Sequence, residues 1–250
     1  MKDAGVVQRS AALLRELSRH TAEGATTTVV ARETGLPRAT AHRLLESLAA
    51  EGLVDRDART GHWHLGPETY VLGMAAASRY GITREARRSV LRLAKETGES
   101  AFFSVRRGDE TVVLLREDGD FPIRSYVLYE GARFPLGVVS AGLALLAYLP
   151  DREIDDYLAR ADLAVRWGPG HAEPAVRERL AATREHGWSV NPGLVVEGSW
   201  GMAAAVFSAA GTPEYALTIT GIEPRFRPDR LPSLGRLLLE ESHRLTRLDP

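Results

Sequence analysis

The stretch LPRATAHRLLESLAAEGLV, residues 36–54, sets the architecture of the first part of this chain. On a helical wheel with Leu44 at zero, Ala41, Leu45 and Leu48 fall on one side and form an apolar stripe. The other side carries small and polar residues, namely Ala39, His42, Arg43 and Glu46. The spacing therefore predicts an amphipathic helix that buries one face and presents arginine on the other.

A shorter helix is predicted just before this one, across a tight turn. Thr26 or Thr27 can cap the segment VVARET, residues 29–34, and Gly35 ends it in the manner of a C′ glycine. Pro37 suits the first turn of the next helix, where its missing N–H has no partner to lose. With a further helix predicted over 6–20, this is the order of a helix-turn-helix unit, whose second helix enters the DNA major groove N-terminus first.

The residues at the start of the third helix suit contact with DNA. Arg43 faces away from the apolar stripe and can pair with a guanine edge, whereas Arg38 and Thr40 in the first turn can hold phosphates. Taken alone, two arginines and a histidine on a helix usually form only a solvated face. The DNA-binding residues predicted in this helix are Arg38, Ala39, Thr40, His42 and Arg43.

The segment that follows favours DNA binding over a solvated face. LVDRDARTGHWHLG, residues 53–66, reads as two short strands around the turn 57–61. A β-ribbon directly after a helix-turn-helix is a wing, which touches the DNA backbone or the minor groove. The wing residues predicted to do so are Arg56, Arg59, Thr60 and His62.

The remaining sequence predicts a linker and a second domain of the α+β class. Helices are predicted over 67–80 and 83–97, followed by a hairpin around Gly108–Asp109 and a strand over 123–131. Three helices, a strand pair and a long final helix complete the pattern; they span 137–149, 151–161, 172–187, 202–222 and 231–248. The predicted domains are a winged helix-turn-helix over 1–66, a linker helix over 67–82 and an α+β domain over 83–250.

Composition narrows the class of protein. The net charge of −1 excludes a broadly basic nucleic-acid binder but not a small reading domain on a neutral body. The absence of cysteine excludes disulfides and zinc–thiolate sites. The N-terminus lacks the apolar core of a signal peptide, and the longest apolar runs are too short to span a bilayer. A cytoplasmic protein without membrane contact and without a cofactor is expected.

The segments 36–67 and 6–17 resemble the winged helix-turn-helix of the IclR family of bacterial transcriptional regulators. The effector domain of that family is resembled by KETGES, FPLGVVSAGLALLAYLP, REHGWSVN, MAAAVF and ALTITGI. The resemblance implies a linker helix and a GAF-like mixed or antiparallel sheet flanked by helices. It also implies a homodimer or a dimer of dimers on a pseudo-palindromic operator in double-stranded DNA. Within the linker, Val71, Met74, Ala75 and Ser78 have the spacing of a contact face.

The resemblance also implies an effector pocket. Its positions fall on Ser140 and Ala141 after the PLG element, on Asn191, and on Gly201 before the MAAAVF strand. The acidic run usual in the family is replaced by NPGLVVEGSWG, residues 191–201, so the wall is more apolar and aromatic. Amides at Ser140 and Ala141 could hold a carboxylate or carbonyl oxygen at the start of a helix.

Four further side chains are expected at this pocket. Trp200 and Met202 alternate along one strand face, and Phe102 or Tyr126 can close the apolar side. Trp200 can equally be a core or interface residue. A small organic effector is expected, an aromatic acid, amide or related catabolite, with repression of a catabolic operon favoured over activation.

The alternative function is a small-molecule-binding protein or enzyme whose N-terminal helices serve only assembly. GSWG, residues 198–201, invites comparison with the nucleophile elbow G-x-S-x-G, but Glu197 stands where the first glycine is needed. No catalytic residue and no metal ligand is predicted. One of Arg106, Arg107, Arg116 and Arg124 could clamp an effector carboxylate, although salt-bridged surface strands are the commoner arrangement.

Overall fold

A computed structural model describes residues 5–20, 22–77 and 81–248 of the chain, which divides into two compact units, 1–80 and 81–250. In the described part the α-helices are α1 Val6–Leu17, α2 Thr27–Thr34, α3 Arg38–Ala50, α4 Pro67–Ala77, α5 Ile82–Thr97, α6 Ser140–Leu146, α7 Asp151–Arg160, α8 Leu163–Trp167, α9 Glu173–His186 and α10 Leu231–Thr246. The strands are β1 Val54–Arg56, β2 Trp63–Leu65, β3 Ser100–Arg107, β4 Glu110–Glu117, β5 Arg133–Pro135, β6 Ser189–Pro192, β7 Ser199–Phe207 and β8 Pro213–Ile222.

The first unit is a three-helix core closed by a two-stranded ribbon. The hydroxyl of Thr26 caps α2 by accepting a hydrogen bond from the amide of Val29, as the sequence predicts. Gly35 ends α2 at φ 66°, a backbone conformation that a side chain would strain, so the chain can turn directly into α3. The predicted stripe of α3 is buried, with Ala41 and Leu45 fully enclosed. Strands β1 and β2 pair antiparallel, which confirms the predicted ribbon.

Helix α4 leaves the ribbon and has no buried residue. Its exposed side chains include four large apolar ones, Tyr70, Val71, Leu72 and Met74. Val71, Met74 and Ala75 of the predicted contact face lie on this helix, whereas Ser78 lies outside the described residues. Helix α4 falls within the first unit, and α5 begins at Ile82.

The second unit is built on a six-stranded sheet in the order β5-β4-β3-β8-β7-β6, with every neighbouring pair antiparallel. One face carries Phe102, Ala205 and Ala216 and packs with α6 and α7. The other face carries Phe103, Met202 and Leu217 and packs with α5 and α10. Because side chains alternate along each strand, neighbouring residues belong to two separate cores. The fold class is α+β, as the sequence predicts.

Two predicted elements of the second unit are wrong or too long. The strand predicted over 123–131 is absent from this described segment; the chain forms only the short strand β5 further on. Its apolar residues do not alternate with one buried face, because Ile123 and Tyr126 are exposed while Leu128 is buried. The helix predicted over 137–149 is shortened to Ser140–Leu146.

Three short elements, β5, β6 and α8, are not predicted from the sequence. Strand β6 has only four residues and lies at the edge of the sheet, so its alternation is too brief to be distinctive. Among the described residues, no helix combines the length and the apolar character needed to cross a membrane.

Candidate nucleic-acid interface and effector cavity

The start of α3 presents two arginines without protein partners. The side chains of Arg38 and Arg43 are exposed and form no ion pair or hydrogen bond with any other described residue. Ala39 between them is exposed as well, and Thr40 is half-buried. Guanidinium groups that are left unpaired keep all their donors for an external acceptor, so this helix turn can contact phosphate and base edges.

His42 is less free than its wheel position suggests. Its Nε2 lies 3.6 Å from Oε1 of Glu46, and its ring meets the indole of Trp63 edge-on at 6.2 Å. The ring is therefore half-buried between α3 and the ribbon. This placement gives His42 a part in holding the ribbon against α3.

The ribbon turn is shaped by Asp57. Its Oδ1 accepts the backbone amides of Arg59 and Thr60, at 2.8 and 2.7 Å. Hydrogen bonds from the backbone amide and hydroxyl of Thr60, with smaller contributions from the amide and charge of Arg59, hold the pKa of Asp57 below its ordinary value. The turn leaves the Arg59 side chain exposed at its tip.

Two of the predicted wing residues have contacts within the protein. The guanidinium of Arg56 lies 5.4 Å from the ring centre of Trp63, and its Nη1 lies 3.9 Å from Oε1 of Glu46. Nδ1 of His62 lies 2.8 Å from the carbonyl oxygen of Glu23. Arg56 and His62 thus fasten the wing to the helices, while Arg59 and Thr60 remain at its tip.

Trp63, which the sequence analysis did not single out, organises this surface. It is almost wholly buried, its Nε1 donates to the hydroxyl of Thr27 at 2.9 Å, and its ring contacts both His42 and Arg56. An indole with a satisfied N–H suits such a junction of helix and ribbon. The alternation HWH within the predicted strand was the only indication of its inward orientation.

In the second unit, two adjoining cavities lie beside the start of α6 and the end of the β6–β7 loop. The inner one, which we call the inner cavity, has a volume of about 20 Å³ and is lined by Val127, Leu128, Val139, Ser140, Asn191, Val195, Ser199, Trp200, Gly201 and Thr220. The outer cavity has a volume of about 640 Å³ and is lined by Arg124, Ser125, Tyr126, Val127, Val196, Glu197, Gly198, Ser199, Ile222, Glu223 and Pro224. Val127 and Ser199 belong to both walls. The hydroxyls of Ser125 and Ser199 share a hydrogen bond of 2.5 Å at this boundary.

The structure brings together five of the eight predicted effector residues. Ser140, Asn191, Trp200 and Gly201 line the inner cavity, and Tyr126 lines the outer one. A Cβ on Gly201 would stand 3.0 Å from Oγ of Ser140, so glycine here lets α6 approach β7 closely.

Met202 and Phe102 line neither cavity, and the side chain of Ala141 does not line them either. Met202 is fully buried on the face of the sheet that packs with α5 and α10, opposite to the face of Ser140 and Asn191. Phe102 and Ala141 are buried in the core between the sheet and α6. Strand alternation was read correctly for Trp200 and Met202, but the face that they share was misassigned.

Trp200 shares the orientation of Met202. It contributes to the wall of the inner cavity, yet its indole packs with the core on the α5 and α10 side of the sheet. Asn191 is buried, and both ends of its amide are used within the protein. Its Nδ2 donates to the carbonyl of Val138 at 2.7 Å, and its Oδ1 accepts the amide of Leu194 at 3.0 Å. Asn191 therefore fastens the β6–β7 loop at the cavity.

The sequence analysis missed Thr220, Ser199 and Val127 as cavity residues. Oγ1 of Thr220 is buried and has no hydrogen-bond partner among the described residues. Buried hydroxyls are usually paired, so this one stands out. The alternation of threonine with isoleucine in ALTITGI, within a strand that both cores enclose, was the available indication.

Three of the four arginines considered as effector clamps are held by carboxylates of the protein, and the fourth, Arg107, lines neither cavity. Arg116 and Arg124 both bind Asp118, at 2.9 and 3.0 Å, and Arg106 binds Glu153. Partial burial by itself raises the pKa of Asp118, but the hydrogen bonds from Arg116 and Ser100 and the two arginine charges bring it below its ordinary value. The salt-bridged alternative is thus the observed one for these three arginines.

A winged helix-turn-helix joined to a separate cavity-bearing sheet domain is typical of DNA-binding transcriptional regulators. The family model "IclR helix-turn-helix domain" matches residues 6–58, and the model "Bacterial transcriptional regulator IclR C-terminal" matches residues 74–247. The chain belongs to the IclR family of bacterial transcriptional regulators.

Individual relatives agree with this assignment. The chain is 28% identical over 249 residues to the HTH-type transcriptional repressor AllR of Klebsiella pneumoniae, covering 98% of this chain and 90% of that protein. It matches the crystal structure of an IclR transcriptional regulator from Alicyclobacillus acidocaldarius with a TM-score of 0.79 and 23% identity, covering 99% and 100% of the two chains. A second structure is an IclR homologue from Microbacterium hydrocarbonoxydans complexed with 4-hydroxybenzoate, with a TM-score of 0.76, 21% identity and coverage of 97% and 98%. The family is one of regulators, so the enzyme alternative is set aside.

Proposed function

We propose that this regulator represses a catabolic operon and releases its operator when a small organic molecule binds beside α6. The observation that carries the proposal is the pairing of an arginine-bearing, partner-free helix turn in one unit with a cavity of ligand size in the other. Repression, rather than activation, is supported by the similarity to a protein named as a repressor.

For the DNA interface, we assign base reading to Arg43 and phosphate contact to Arg38 and Thr40. Arg59 and Thr60 at the wing tip reach the adjacent backbone or minor groove. Ala39 leaves room for close approach of the helix to the groove, and His42, Arg56 and His62 support the wing from within the protein.

One such helix reads only a few base pairs, so a symmetric pair on a pseudo-palindromic operator is needed for useful specificity. The exposed apolar residues of α4, Val71 and Met74 among them, suit contact with a second copy of the chain. Light scattering at micromolar concentration tests this point: a mass of two or four chains is expected, and a monomer that persists with operator DNA would contradict it. Val71→Glu combined with Met74→Glu is expected to give monomers.

For the effector, we propose a compound with a single aromatic ring. The outer cavity falls within the usual range for ligand sites, and Tyr126, Val127 and Val196 supply apolar walls. The IclR homologue from Microbacterium hydrocarbonoxydans, which shares this fold, is complexed with the one-ring compound 4-hydroxybenzoate.

The test is a mobility-shift assay with the DNA upstream of the gene for this chain, with and without candidate effectors. Specific retardation is expected, and the effector is expected to change operator affinity by roughly 5- to 150-fold, the usual range of allosteric coupling. Absence of specific retardation would refute the DNA-binding assignment. Retardation that no organic compound alters would refute effector control alone.

A further inference from the structure

The inner cavity contains no charged side chain among the described residues that line it. Its polar side chains are the hydroxyls of Ser140, Ser199 and Thr220 and the amide of Asn191. We infer, building on the effector role proposed above, that the effector inserts an uncharged hydroxyl or carbonyl group here and that the site rejects an inserted carboxylate. The inserted group is thereby narrowed to an alcohol, a phenol, an amide or the carbonyl of an ester.

The size of the inner cavity supports a single polar group. Its volume of about 20 Å³ is close to the space that one water molecule occupies. One small polar group fits this space. A carboxylate and its amide have nearly the same size, so charge and not volume distinguishes them here. The apolar ring would then occupy the much larger outer cavity, on the other side of the boundary formed by Val127 and Ser199.

The charges around the cavities disfavour an anion. Arg124, the basic residue of the outer wall, already donates to Asp118 and to the carbonyl of Gly119. Glu197 and Glu223 stand on the same wall. A carboxylate moved from water into the inner cavity would therefore lose its hydration without gaining a counter-charge.

The hydroxyl of Thr220 is the proposed hydrogen-bond partner of the inserted group. Its Oγ1 is buried without a partner among the described residues, so a ligand oxygen would provide the missing hydrogen bond. Thr218 is a matched control on the same strand and the same face of the sheet. Its Oγ1 is also buried and without a partner among the described residues, yet Thr218 lines neither cavity.

The experiment compares the full chain with Thr220→Val and Thr218→Val. Compounds are offered as acid and amide pairs on scaffolds without another polar group, starting with benzoate and benzamide and extended to small aliphatic pairs. Calorimetry gives the affinity and thermal unfolding gives the midpoint. We expect the amide of the best pair to bind at least about tenfold more tightly than its acid.

The two variants separate a ligand contact from a structural role. Neither is expected to lower the unfolding midpoint, because each removes a hydroxyl without a partner. Thr220→Val is expected to weaken binding of the amide by roughly fivefold, while Thr218→Val leaves it unchanged.

Three results would overturn the inference. If an acid binds as tightly as its amide and Thr220→Val weakens that binding, the claim that the inserted group must be uncharged is refuted. The proposed effector role would then remain. Amide binding that Thr220→Val does not alter would place the ligand elsewhere. Absence of binding by every pair at millimolar concentration would refute both this inference and the one-ring effector proposed above.

Discussion

The DNA-contact turns proposed in the first unit and the sheet domain of the second unit differ in how their arginines are paired. In the winged helix-turn-helix, Arg38, Arg43 and Arg59 have no carboxylate within ion-pair distance in the described structure. In the second unit, several arginines beside the sheet form ion pairs with carboxylates. Arg225 and Arg230, for example, both bind Oε1 of the buried Glu99, at 2.7 and 2.8 Å. The first unit has nine arginines in 80 residues and the second has 21 in 170, so arginine content alone does not distinguish the units.

The contacts of each arginine, rather than the number of arginines, indicate which of them are available to an external ligand. An arginine that binds a carboxylate already uses hydrogen-bond donors within the protein, whereas an arginine without a partner can donate to an external phosphate or base. Arg56 shows that the rule applies residue by residue, because it lies in the first unit and yet contacts Trp63 and Glu46.

The largest predicted change is a loss of folding stability when the carboxylate shared by two arginines is removed. Glu99→Ala leaves Arg225 and Arg230 without their shared carboxylate, and loss of one member of a buried ion network costs about 3 kcal/mol or more. Urea unfolding of the second unit, followed by circular dichroism, measures this loss. Arg160→Ala removes the exposed pair with Asp109 and should leave the stability almost unchanged, because solvent screens exposed ion pairs. Equal effects of the two variants would refute the distinction between them.

The second largest predicted change is a loss of operator affinity when an arginine without a protein partner among the described residues is removed. Arg43→Ala should weaken operator binding by roughly 1–3 kcal/mol and relax base preference at one position in each half-site, because a bidentate base contact is lost. Binding to an operator library measures both quantities. Folding stability should be almost unchanged, since Arg43 has no protein partner. Arg160→Ala serves again as the control and should bind operator normally; unchanged affinity and preference in Arg43→Ala would remove the base-reading role.

Arg38→Ala is expected to reduce DNA affinity less than Arg43→Ala does, and to reduce it equally for all sequences. A phosphate contact contributes equally to all DNA sequences, so binding should weaken without a change in base preference. The slope of log affinity against log salt concentration should decrease by about one unit. Fluorescence anisotropy over a range of salt concentrations gives the slope. A change of preference at one base position, with the slope unaltered, would instead make Arg38 a base-reading residue.

Most of the first unit could be predicted from the sequence, because its signals are local. The stripe of α3, the cap at Thr26, the glycine at position 35 and the ribbon each act over a few residues. The supporting contacts could not be predicted in this way. The contacts of His42 and Arg56 with Trp63 join residues that are distant along the chain, and a helical wheel describes only one helix at a time.

The cavity was predicted less well, because it depends on which face of a strand meets which layer. Ser140, Asn191 and Gly201 were found through the family resemblance, whereas Met202 was assigned to the wrong side of the sheet. A two-residue alternation shows which residues share a face and leaves open which helices cover it. Both faces of this sheet are covered, so apolar character could not separate them.

The smallest predicted change is a pH-dependent loosening of the wing turn when the carboxylate of Asp57 is protonated. Asp57 accepts the amides of Arg59 and Thr60 as a carboxylate, so its pKa is lower in the folded wing than in the unfolded chain. The stabilisation is therefore fully present above the ordinary aspartate pKa and is lost as pH falls through the lowered pKa of the folded state. Following the amide resonances of Arg59 and Thr60 by NMR from neutral pH downward should show a titration midpoint below 3.8, the ordinary value. Asp57→Asn keeps an acceptor oxygen without a titrating charge, so its wing amides should not follow this titration. A wild-type midpoint at or above the ordinary value would mean that the turn does not depend on the charged form of Asp57.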